Sequence, residues 1–430
     1  MTIAQLLTRQ AHPGVIRTPI IEADLTDVVI GEICDIHRSI YDKEWVGRAQ
    51  VLGFSHERAI LSLLGQANGL SRESVLHPLG HEFRIEVGHQ LVGSVVNAEG
   101  KIVGMLNETT IPALDETRAI QAKALDWQCR AGIQQALPTG IKVIDALMTC
   151  GVGQRIGIFA SAGGGKTTLL QMLINNIEAD IFVIGLIGER GREVAEFTEI
   201  LKKSDRQDNC ILVFATSDYS SLDRCNAVLI ATTIAEYFRD HGKKVVMFID
   251  SITRYARALR DLALSSGESP ARRGYPASVF EALPRILERA GNFHTGSITA
   301  FYTILLEGDE ESDPIANEIR SVLDGHIYLD PKLAAQHHYP AVDVAHSLSR
   351  VTSAICKEGH LQDAASFRRK LAIIDEMKLL IDIGEYQFGQ NINNDVAINQ
   401  RQQLYNWLCQ ASSQNCEYDQ TVKELREIAS

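Results

Sequence analysis

The first eighty residues alternate short apolar runs with turn-forming residues. The runs include DVVIGEIC (27–34), WVGRAQVLGF (45–54) and RAILSLLG (58–65), and Gly, Asp, Asn and Ser residues separate them. Short runs rich in β-branched residues and bounded by turn formers are typical of strands. We therefore predict a small β-barrel domain over residues 1–80.

Between residues 81 and 345, strand-like apolar runs alternate with segments of helical periodicity. RIGIFA precedes TTLLQMLINN, IFVIGLIG precedes REVAEFTEILKK, and CILVFAT precedes the long helical pattern LDRCNAVLIATTIAEYFRDHG. VVMFID, SITAFYTILL and GHIYL add further strands. Such alternation predicts a parallel sheet with helices on both faces.

After residue 346 the strand patterns fade and helical patterns dominate, as in AASFRRKLAIIDEMKLLIDIG and TVKELREIAS. We predict a helical domain over residues 346–430. The predicted fold class is α/β, with a parallel-sheet core, an N-terminal small β-barrel and a C-terminal helical domain.

Composition and charge narrow the function. The chain of 430 residues has a formal net charge of -12, and residues 1–80 hold seven Lys or Arg against nine Asp or Glu. Phosphate neutralisation needs a basic surface, so a nucleic-acid-coating role is not indicated.

The eight cysteines show no C-x-x-C spacing and are expected to be reduced, packed thiols. The N-terminus shows no secretion signal, which predicts a cytoplasmic protein.

The most specific chemical motif is ASAGGGKT at residues 160–167, between the strand-like RIGIFA and a helical pattern. A strand, a glycine-rich turn and a helix N-terminus direct backbone N–H groups toward one point, which suits a polyphosphate. Lys166 can reach the β- and γ-phosphates, and the Thr167 hydroxyl can bind Mg²⁺. The strict motif begins with Gly, whereas Ala160 stands here. A flexible surface turn is the alternative interpretation.

Two acids follow strand-like runs. Asp250 ends VVMFID, where P-loop enzymes place a second Mg²⁺-organising group. Glu189 follows IFVIGLIG and could orient or deprotonate an attacking water. Each residue has an ordinary alternative, since Asp250 could cap a turn and Glu189 could favour a helix start.

Five segments together resemble a known family. They are LPTGIKVIDALMTCGVGQRIGIFASAGGGKTTLL, GLIGERGREVAEF, VVMFIDSITRYARALRD, GESPARRGYPASVFEALPRILERAG and YPAVDVAHSLSRV. They are similar to the hexameric ATPases shared by rotary ATP synthases, flagellar export and type III secretion. FASAGGGKTTLL, TSDYSSLDRCNAV and LDGHIYLD resemble the virulence-type secretion branch most. The resemblance implies a RecA-like P-loop ATPase domain at residues 81–345 and an oligomerising N-terminal domain.

The resemblance also implies roles for individual residues. Glu189 is implied as catalytic base, and Arg190 as an additional γ-phosphate contact beside Lys166. Tyr339 would pack on adenine, with an ordinary core tyrosine as the alternative, and Arg350 would be an arginine finger, although alone it reads as a solvated arginine. Thr167 and Asp250 would bind Mg²⁺. The residues implied to contact the phosphates of ATP are Ala162, Gly163, Gly164, Gly165, Lys166, Thr167 and Thr168.

The implied assembly is a homo-oligomer, expected to be a hexameric ring, because a finger must enter a neighbouring subunit's site. The implied partners are central stalk and peripheral stator proteins and chaperone–effector complexes, with no nucleic acid. The segment GESPARRGYP (267–276) would face the stalk, and the helical domain would dock chaperones. The ring would lie on the cytoplasmic face of the inner membrane.

Three alternatives stay open. A flagellar-type export ATPase is the alternative within the same family. A hexameric nucleic-acid translocase would also share the loop, the acids and the finger, but it would need a basic, aromatic-bearing barrel. A non-catalytic subunit that only holds nucleotide would not need Glu189.

Overall fold

The computed structural model of the chain describes residues 10–42, 44–66, 68–107, 109–161, 163–306 and 313–429. Its strands are β1 (Pro13–Arg17), β2 (Ile20–Ala23), β3 (Glu32–His37), β4 (Trp45–Ser55), β5 (Arg58–Leu64), β6 (Val75–Glu82), β7 (Arg84–Val87), β8 (Ser94–Val96), β9 (Ile102–Met105), β10 (Glu116–Ala119), β11 (Arg155–Ala160), β12 (Ile181–Ile187), β13 (Cys210–Ala215), β14 (Lys244–Asp250), β15 (Gly291–Asn292), β16 (Ser297–Leu305), β17 (Gly325–Leu329) and β18 (Val342–Ser349).

The α-helices are α1 (Lys142–Leu147), α2 (Lys166–Asn176), α3 (Gly191–Lys202), α4 (Ser221–Asp240), α5 (Ile252–Ser265), α6 (Ala277–Leu287), α7 (Pro314–Val322), α8 (Pro331–Ala335), α9 (Thr352–Ile355), α10 (Glu358–Asp382), α11 (Ile392–Asn399), α12 (Arg401–Leu408) and α13 (Tyr418–Ala429). The chain forms two compact units. The first unit comprises residues 1–125, 183–240 and 247–289, and the second comprises residues 126–182, 241–246 and 290–430.

The N-terminal strands of the first unit form an antiparallel sheet in the order β1-β2-β5-β4-β3-β6. Ala11, just before β1, exchanges backbone hydrogen bonds with Leu76 of β6 at 3.2 and 2.9 Å, which closes the sheet. Ile21, Cys34 and Leu61 are fully buried inside it. The predicted small β-barrel is therefore confirmed.

One predicted strand is shorter than its pattern suggested. Asp27 adopts a φ of 59°, and the Val29 backbone N–H donates to the Glu32 carboxylate at 3.0 Å. Glu32, only 2% exposed, also accepts from Gly80 at 2.9 Å. The DVVIGEIC pattern thus begins as a turn around a buried carboxylate, and the strand starts at Glu32.

The rest of the first unit places helices beside strands in the order β14-β12-β13-β8-β9. The guanidinium of Arg289, 2% exposed, pairs with Glu236 of α4 at 2.6 Å and donates to the Ile120 carbonyl at 2.9 Å. A buried charge needs such complete pairing, because removing one partner leaves the other desolvated. The Arg289–Glu236 pair therefore holds α4 to the segments that contain Ile120 and Arg289.

In the second unit, β11 pairs in parallel with both β16 and β17, and β18 runs antiparallel to β17. Helix α13 packs against α1 and α10. Arg368 of α10 donates to the carbonyls of Leu147 at 2.9 Å and Ser347 at 3.0 Å. These bonds fix the C-terminal helices to α1 and β18. The predicted α/β class with a parallel-sheet core and C-terminal helices is confirmed.

Candidate functional site

The glycine-rich turn of the second unit joins β11 to α2. Gly163 has a φ of 81°, and Gly165, the N-cap of α2, has a φ of 82°. Residues with side chains rarely adopt this left-handed region, which explains glycine at both positions. The Gly164 N–H donates to the Ser161 carbonyl at 3.2 Å and tightens the turn. Ala162, also predicted to contact phosphate, lies outside the described residues.

Lys166, Thr167 and Thr168 form the first turn of α2, where the backbone N–H groups point along the helix axis and the helix dipole favours an anion. Thr167 is exposed, whereas Leu169 and Leu170 are buried and anchor the helix. The polar start of α2 is therefore accessible, and the apolar residues that follow it are buried. This arrangement suits the predicted phosphate contacts.

Tyr339 lies beside the same turn. A Cβ built on Gly165 would lie 3.1 Å from Tyr339 Cε1, so the ring is in contact with the glycine. The Tyr339 carbonyl accepts from the Gln410 backbone N–H at 2.8 Å, and the Gln410 side chain bonds the Lys142 N–H at 2.9 Å and the Gly140 carbonyl at 2.7 Å. Sequence analysis missed Gln410, because no local motif marks a contact across 268 residues.

Glu189 follows β12 in the first unit and is 5% exposed. Arg254 donates from Nη2 to Glu189 Oε2 at 3.2 Å, and from Nη1 to the Gly188 carbonyl. The Glu189 carbonyl accepts from Ser217 at 2.9 Å. The backbone of Glu189 is therefore fixed by a hydrogen bond, and the Arg254 guanidinium lies beside its carboxylate.

Arg254 was missed by sequence analysis. It lies in the first turn of α5, and its backbone N–H donates to the N-cap hydroxyl of Ser251 at 3.3 Å. Asp250, 5% exposed, ends β14 immediately before that cap. The sequence feature that could have identified Arg254 is its position one helical turn after Asp250, the acid that ends the strand. Through this short segment the structure connects Asp250 to the group that holds Glu189.

Arg190 is placed differently from Glu189. Its side chain is 77% exposed and approaches Glu193 only to 3.9 Å. An ion pair this exposed contributes little to stability, because water screens it. The guanidinium is therefore free to be redirected by an anion.

Arg350 lies at the opposite end of β17 from the glycine-rich turn. Gly325 of β17 pairs with Ser349, the residue before Arg350, whereas a Cβ built on Gly164 would lie 3.4 Å from Leu329 Cβ at the other end of β17. Four residue steps along a strand span about 13 Å. Arg350, which is exposed, does not join the other predicted groups at the turn of its own chain.

Within the described residues, no group of three or more His, Cys, Asp or Glu side chains is arranged to hold a metal ion. All eight cysteines are free. Among the helices of the described chain, none is long and apolar enough to cross a membrane.

Comparison with known proteins agrees with this geometry. Residues 140–349 match the ATP synthase alpha/beta family, nucleotide-binding domain, and residues 356–427 match the T3SS EscN ATPase C-terminal domain. The chain is 54% identical to the SPI-1 type 3 secretion system ATPase of Salmonella typhi, covering 100% of this chain and 99% of the relative. It is 45% identical to the type 3 secretion system ATPase of Xanthomonas euvesicatoria, covering 93% and 90%.

The solved structure of the assembled ATPase EscN from the enteropathogenic E. coli type III secretion system superposes with a TM-score of 0.91 at 41% identity, covering 98% of this chain and 100% of that one. EscN in complex with its central stalk EscO gives a TM-score of 0.87 at 40% identity, with the same coverage. The fold and the glycine-rich turn thus define a nucleotide-binding ATPase of the ATP synthase alpha/beta type. Within that class, the chain belongs to the family of type III secretion system ATPases.

Proposed function

We propose that this ATPase hydrolyses MgATP to energise chaperone release, unfolding and export of proteins through a type III secretion system. The backbone of residues 163–165 and the first turn of α2 would bind the phosphates, and Lys166 would neutralise the β- and γ-phosphate oxygens. Tyr339, held against Gly165, would pack on adenine.

The proposed Mg²⁺ ligands fit that ion chemically. The Thr167 hydroxyl and the Asp250 carboxylate offer oxygen atoms, which Mg²⁺ prefers, and neither is a soft sulfur or imidazole ligand. Bound Mg²⁺ would offset charge on the phosphate oxygens. The two protein groups would hold it through oxygen contacts and ordered water.

Glu189 is the proposed general base. Its carboxylate is buried, accepts from Arg254 at 3.2 Å and follows a strand whose seven residues are all buried. Such a rigid mounting holds a base in the orientation needed to take a proton from water. Exposed Arg190 would turn to a γ-phosphate oxygen when nucleotide binds.

Arg350 is the proposed arginine finger of a neighbouring subunit. The observation that carries this step is the register of β17 and β18, which separates Arg350 from the glycine-rich turn of its own chain. A finger that cannot serve its own site needs a head-to-tail ring, and we propose a hexamer. Such a finger contributes on the order of 10³ to 10⁵ in rate.

The test is phosphate release by wild type, Lys166→Ala, Glu189→Gln and Arg350→Ala at matched protein concentration. We expect near-complete loss in all three variants, with ATP binding retained in the Glu189 and Arg350 variants. Arg426→Ala, which removes an exposed arginine of α13, is the matched control and should stay active. Full hydrolysis by Glu189→Gln, or by wild type diluted to monomers, would refute the mechanism.

The partners follow from the same assignment. We propose that residues 267–276 contact a central stalk protein, because EscN is known in complex with its central stalk EscO. The Ala271 N–H donates to the Tyr275 carbonyl at 3.1 Å and the Tyr275 N–H donates to the Arg272 carbonyl at 3.0 Å, which forms a turn. The Arg272 guanidinium lies 5.7 Å from the Phe280 ring centroid. Substituting Arg272 and Arg273 should impair secretion and spare basal hydrolysis.

The remaining partners are peripheral stator proteins and chaperone–effector complexes, docked on the helical residues 346–430 at the cytoplasmic face of the inner membrane. Residues 1–80 would support oligomerisation, and residues 81–345 would carry the ATPase chemistry. Deleting α13 should abolish chaperone binding in a pull-down with a cognate chaperone. Retained binding would move the docking surface elsewhere.

A further inference from the structure

A cavity in the second unit has a volume of about 420 Å³ and lies where α7, β17 and the end of β18 meet. Its lining includes two arginines, Arg320 and Arg350, together with Asn317, Ser321, His326 and Tyr328. Arg320 lies in the last turn of α7, and α7 leads directly into β17. The cavity follows the face of β17 that carries His326 and Tyr328, and Arg350 lines it just after the end of β18.

Within the described part of the chain, neither Arg320 nor Arg350 forms an ion pair with an acid, whereas His346, which also lines the cavity, pairs with Asp343 at 2.6 Å. Arg320 donates to the Tyr328 hydroxyl at 3.4 Å and to the Asn317 side chain, both of which are neutral. Asp324, the nearby carboxylate, is held by Arg155 at 2.9 and 3.0 Å. Two guanidinium groups in one depression repel each other, and an entering anion would relieve that repulsion.

The third group is a buried imidazole. His326 is 3% exposed, and its Nδ1 has no hydrogen-bond partner in the structure. Burial, with the charges of Arg350 and Arg320 adding to it, lowers the pKa of His326 to about 4. The ring is thus neutral at pH 7, and the positive charge of the cavity comes from Arg320 and Arg350.

We propose that Arg320 is a second cation that acts with Arg350 on the terminal phosphate of the nucleotide held by a neighbouring copy of this chain. The inference rests on the trans action of Arg350 proposed above and extends it to a two-arginine clamp. Arg320 is held by neutral partners, so it can form new charge-assisted bonds to phosphate oxygens without breaking an ion pair. The planar guanidinium of arginine can form two parallel hydrogen bonds to phosphate oxygens, which the ammonium group of lysine cannot.

The test begins with Arg320→Gln. We expect kcat to fall on the order of 10²-fold, with little change in KM, because the nucleotide is bound mainly by the other subunit. Mixing Arg320→Gln with Lys166→Ala should then restore activity. In mixed rings, a site with an intact Lys166 can receive the arginines of a Lys166→Ala neighbour, giving up to about a quarter of wild-type activity for a random mixture. No recovery would overturn trans action by Arg320.

A parallel mixture of Arg350→Ala with Lys166→Ala separates the two proposals. If the Arg350 mixture recovers and the Arg320 mixture does not, only the second cation is refuted. If neither recovers, trans catalysis itself fails.

A purely structural role makes a different prediction. If Arg320 only braced the fold, Arg320→Gln would lower ring formation and the urea midpoint of unfolding along with kcat, and mixing with Lys166→Ala would not restore kcat. Arg426→Gln, at an exposed arginine of α13, is the control and should keep both kcat and ring formation. Should Arg320→Gln fail to assemble, Arg320→Lys enters the same mixing experiment. It should assemble, show a reduced kcat and recover with Lys166→Ala, and absence of recovery would again refute the proposal.

Discussion

Arg254 Nη2 lies 3.2 Å from Glu189 Oε2, and the same guanidinium donates to the carbonyl of Gly188. One side chain therefore fixes both the carboxylate and the backbone that carries it. A base restrained in this way keeps its oxygen in position for a water.

The first prediction is that Arg254→Gln lowers kcat by at least about tenfold, because it removes a charge-assisted contact at the base. Glutamine is polar but cannot hold both the carboxylate and the Gly188 carbonyl. ATP affinity, measured with a fluorescent analogue, should change far less than kcat. Arg260→Gln on the same helix is the control, since Arg260 pairs with the neighbouring Asp261. Equal loss in both variants would show only a damaged α5.

The second prediction concerns the contact between Gly165 and Tyr339. Gly165→Ala would place a Cβ 3.1 Å from Tyr339 Cε1 at a φ of 82°, so both the turn and the ring must shift. A side chain in the left-handed region costs roughly 1 to 2 kcal/mol, which corresponds to a loss of roughly 5- to 30-fold in ATP affinity when binding requires the native turn. Isothermal titration with ATP measures it.

Gly53→Ala is the matched control for that substitution. A Cβ at Gly53 meets nothing within 4 Å, and its φ is not in the left-handed region. Its ATP affinity should equal that of wild type. If Gly165→Ala also binds normally, the turn tolerates a side chain and Tyr339 does not depend on glycine beside it.

The third prediction is a pH effect from His326. Its pKa is lowered to about 4 in the folded chain, chiefly by burial, from an ordinary value of 6.5. The unfolded state therefore binds more protons between these values, and His326 makes the fold less stable as the pH falls from 6.5 toward 4. The largest possible effect is on the order of 3 kcal/mol.

Urea unfolding of wild type and His326→Gln at pH 7.5 and pH 4.5 measures that effect. Wild type should lose more stability on acidification than the variant, because glutamine does not titrate in this range. The change in the free energy of unfolding of His326→Gln between the two pH values measures the contribution of all the other titrating groups. An identical loss in both proteins would show that His326 gains its proton as easily in the folded chain as in the unfolded one.

Local patterns predicted much of this molecule. The glycine-rich turn, the strands ending at Glu189 and Asp250, and the C-terminal helices follow from residues close in sequence, and the structure has each of them. The N-terminal runs also predicted a barrel.

Long-range contacts were beyond the reach of sequence patterns. The closure of the barrel by Ala11 and Leu76 and the support of Tyr339 by Gln410 join residues far apart in the chain. Residues 27–31 were predicted to be part of a strand, but they form a turn because the Val29 N–H donates to the buried Glu32 carboxylate. The apolar pattern of the sequence cannot show that Glu32 is buried. The separation of Arg350 from its own turn likewise required the strand register.

The last prediction concerns Cys356, which lies just before α10. Its Sγ donates to the Thr149 hydroxyl at 3.3 Å and lies 3.9 Å from the Tyr418 hydroxyl. Burial opposes ionisation, but hydrogen bonds with His360 and Thr149 outweigh it and lower the pKa of this thiol. Cys409 differs, because partial burial raises the pKa of its thiol although the residue is exposed.

Alkylation depends on the thiolate, so iodoacetamide at pH 7 should modify Cys356 faster than Cys409, despite the greater exposure of Cys409. Peptide mass spectrometry over a time course gives both rates in one sample. His360→Asn should slow the reaction at Cys356 and leave Cys409 unchanged, since His360 contributes to the lowered pKa. Faster labelling of Cys409 in wild type would mean that exposure, rather than the hydrogen bonds around Cys356, controls thiol reactivity in this chain.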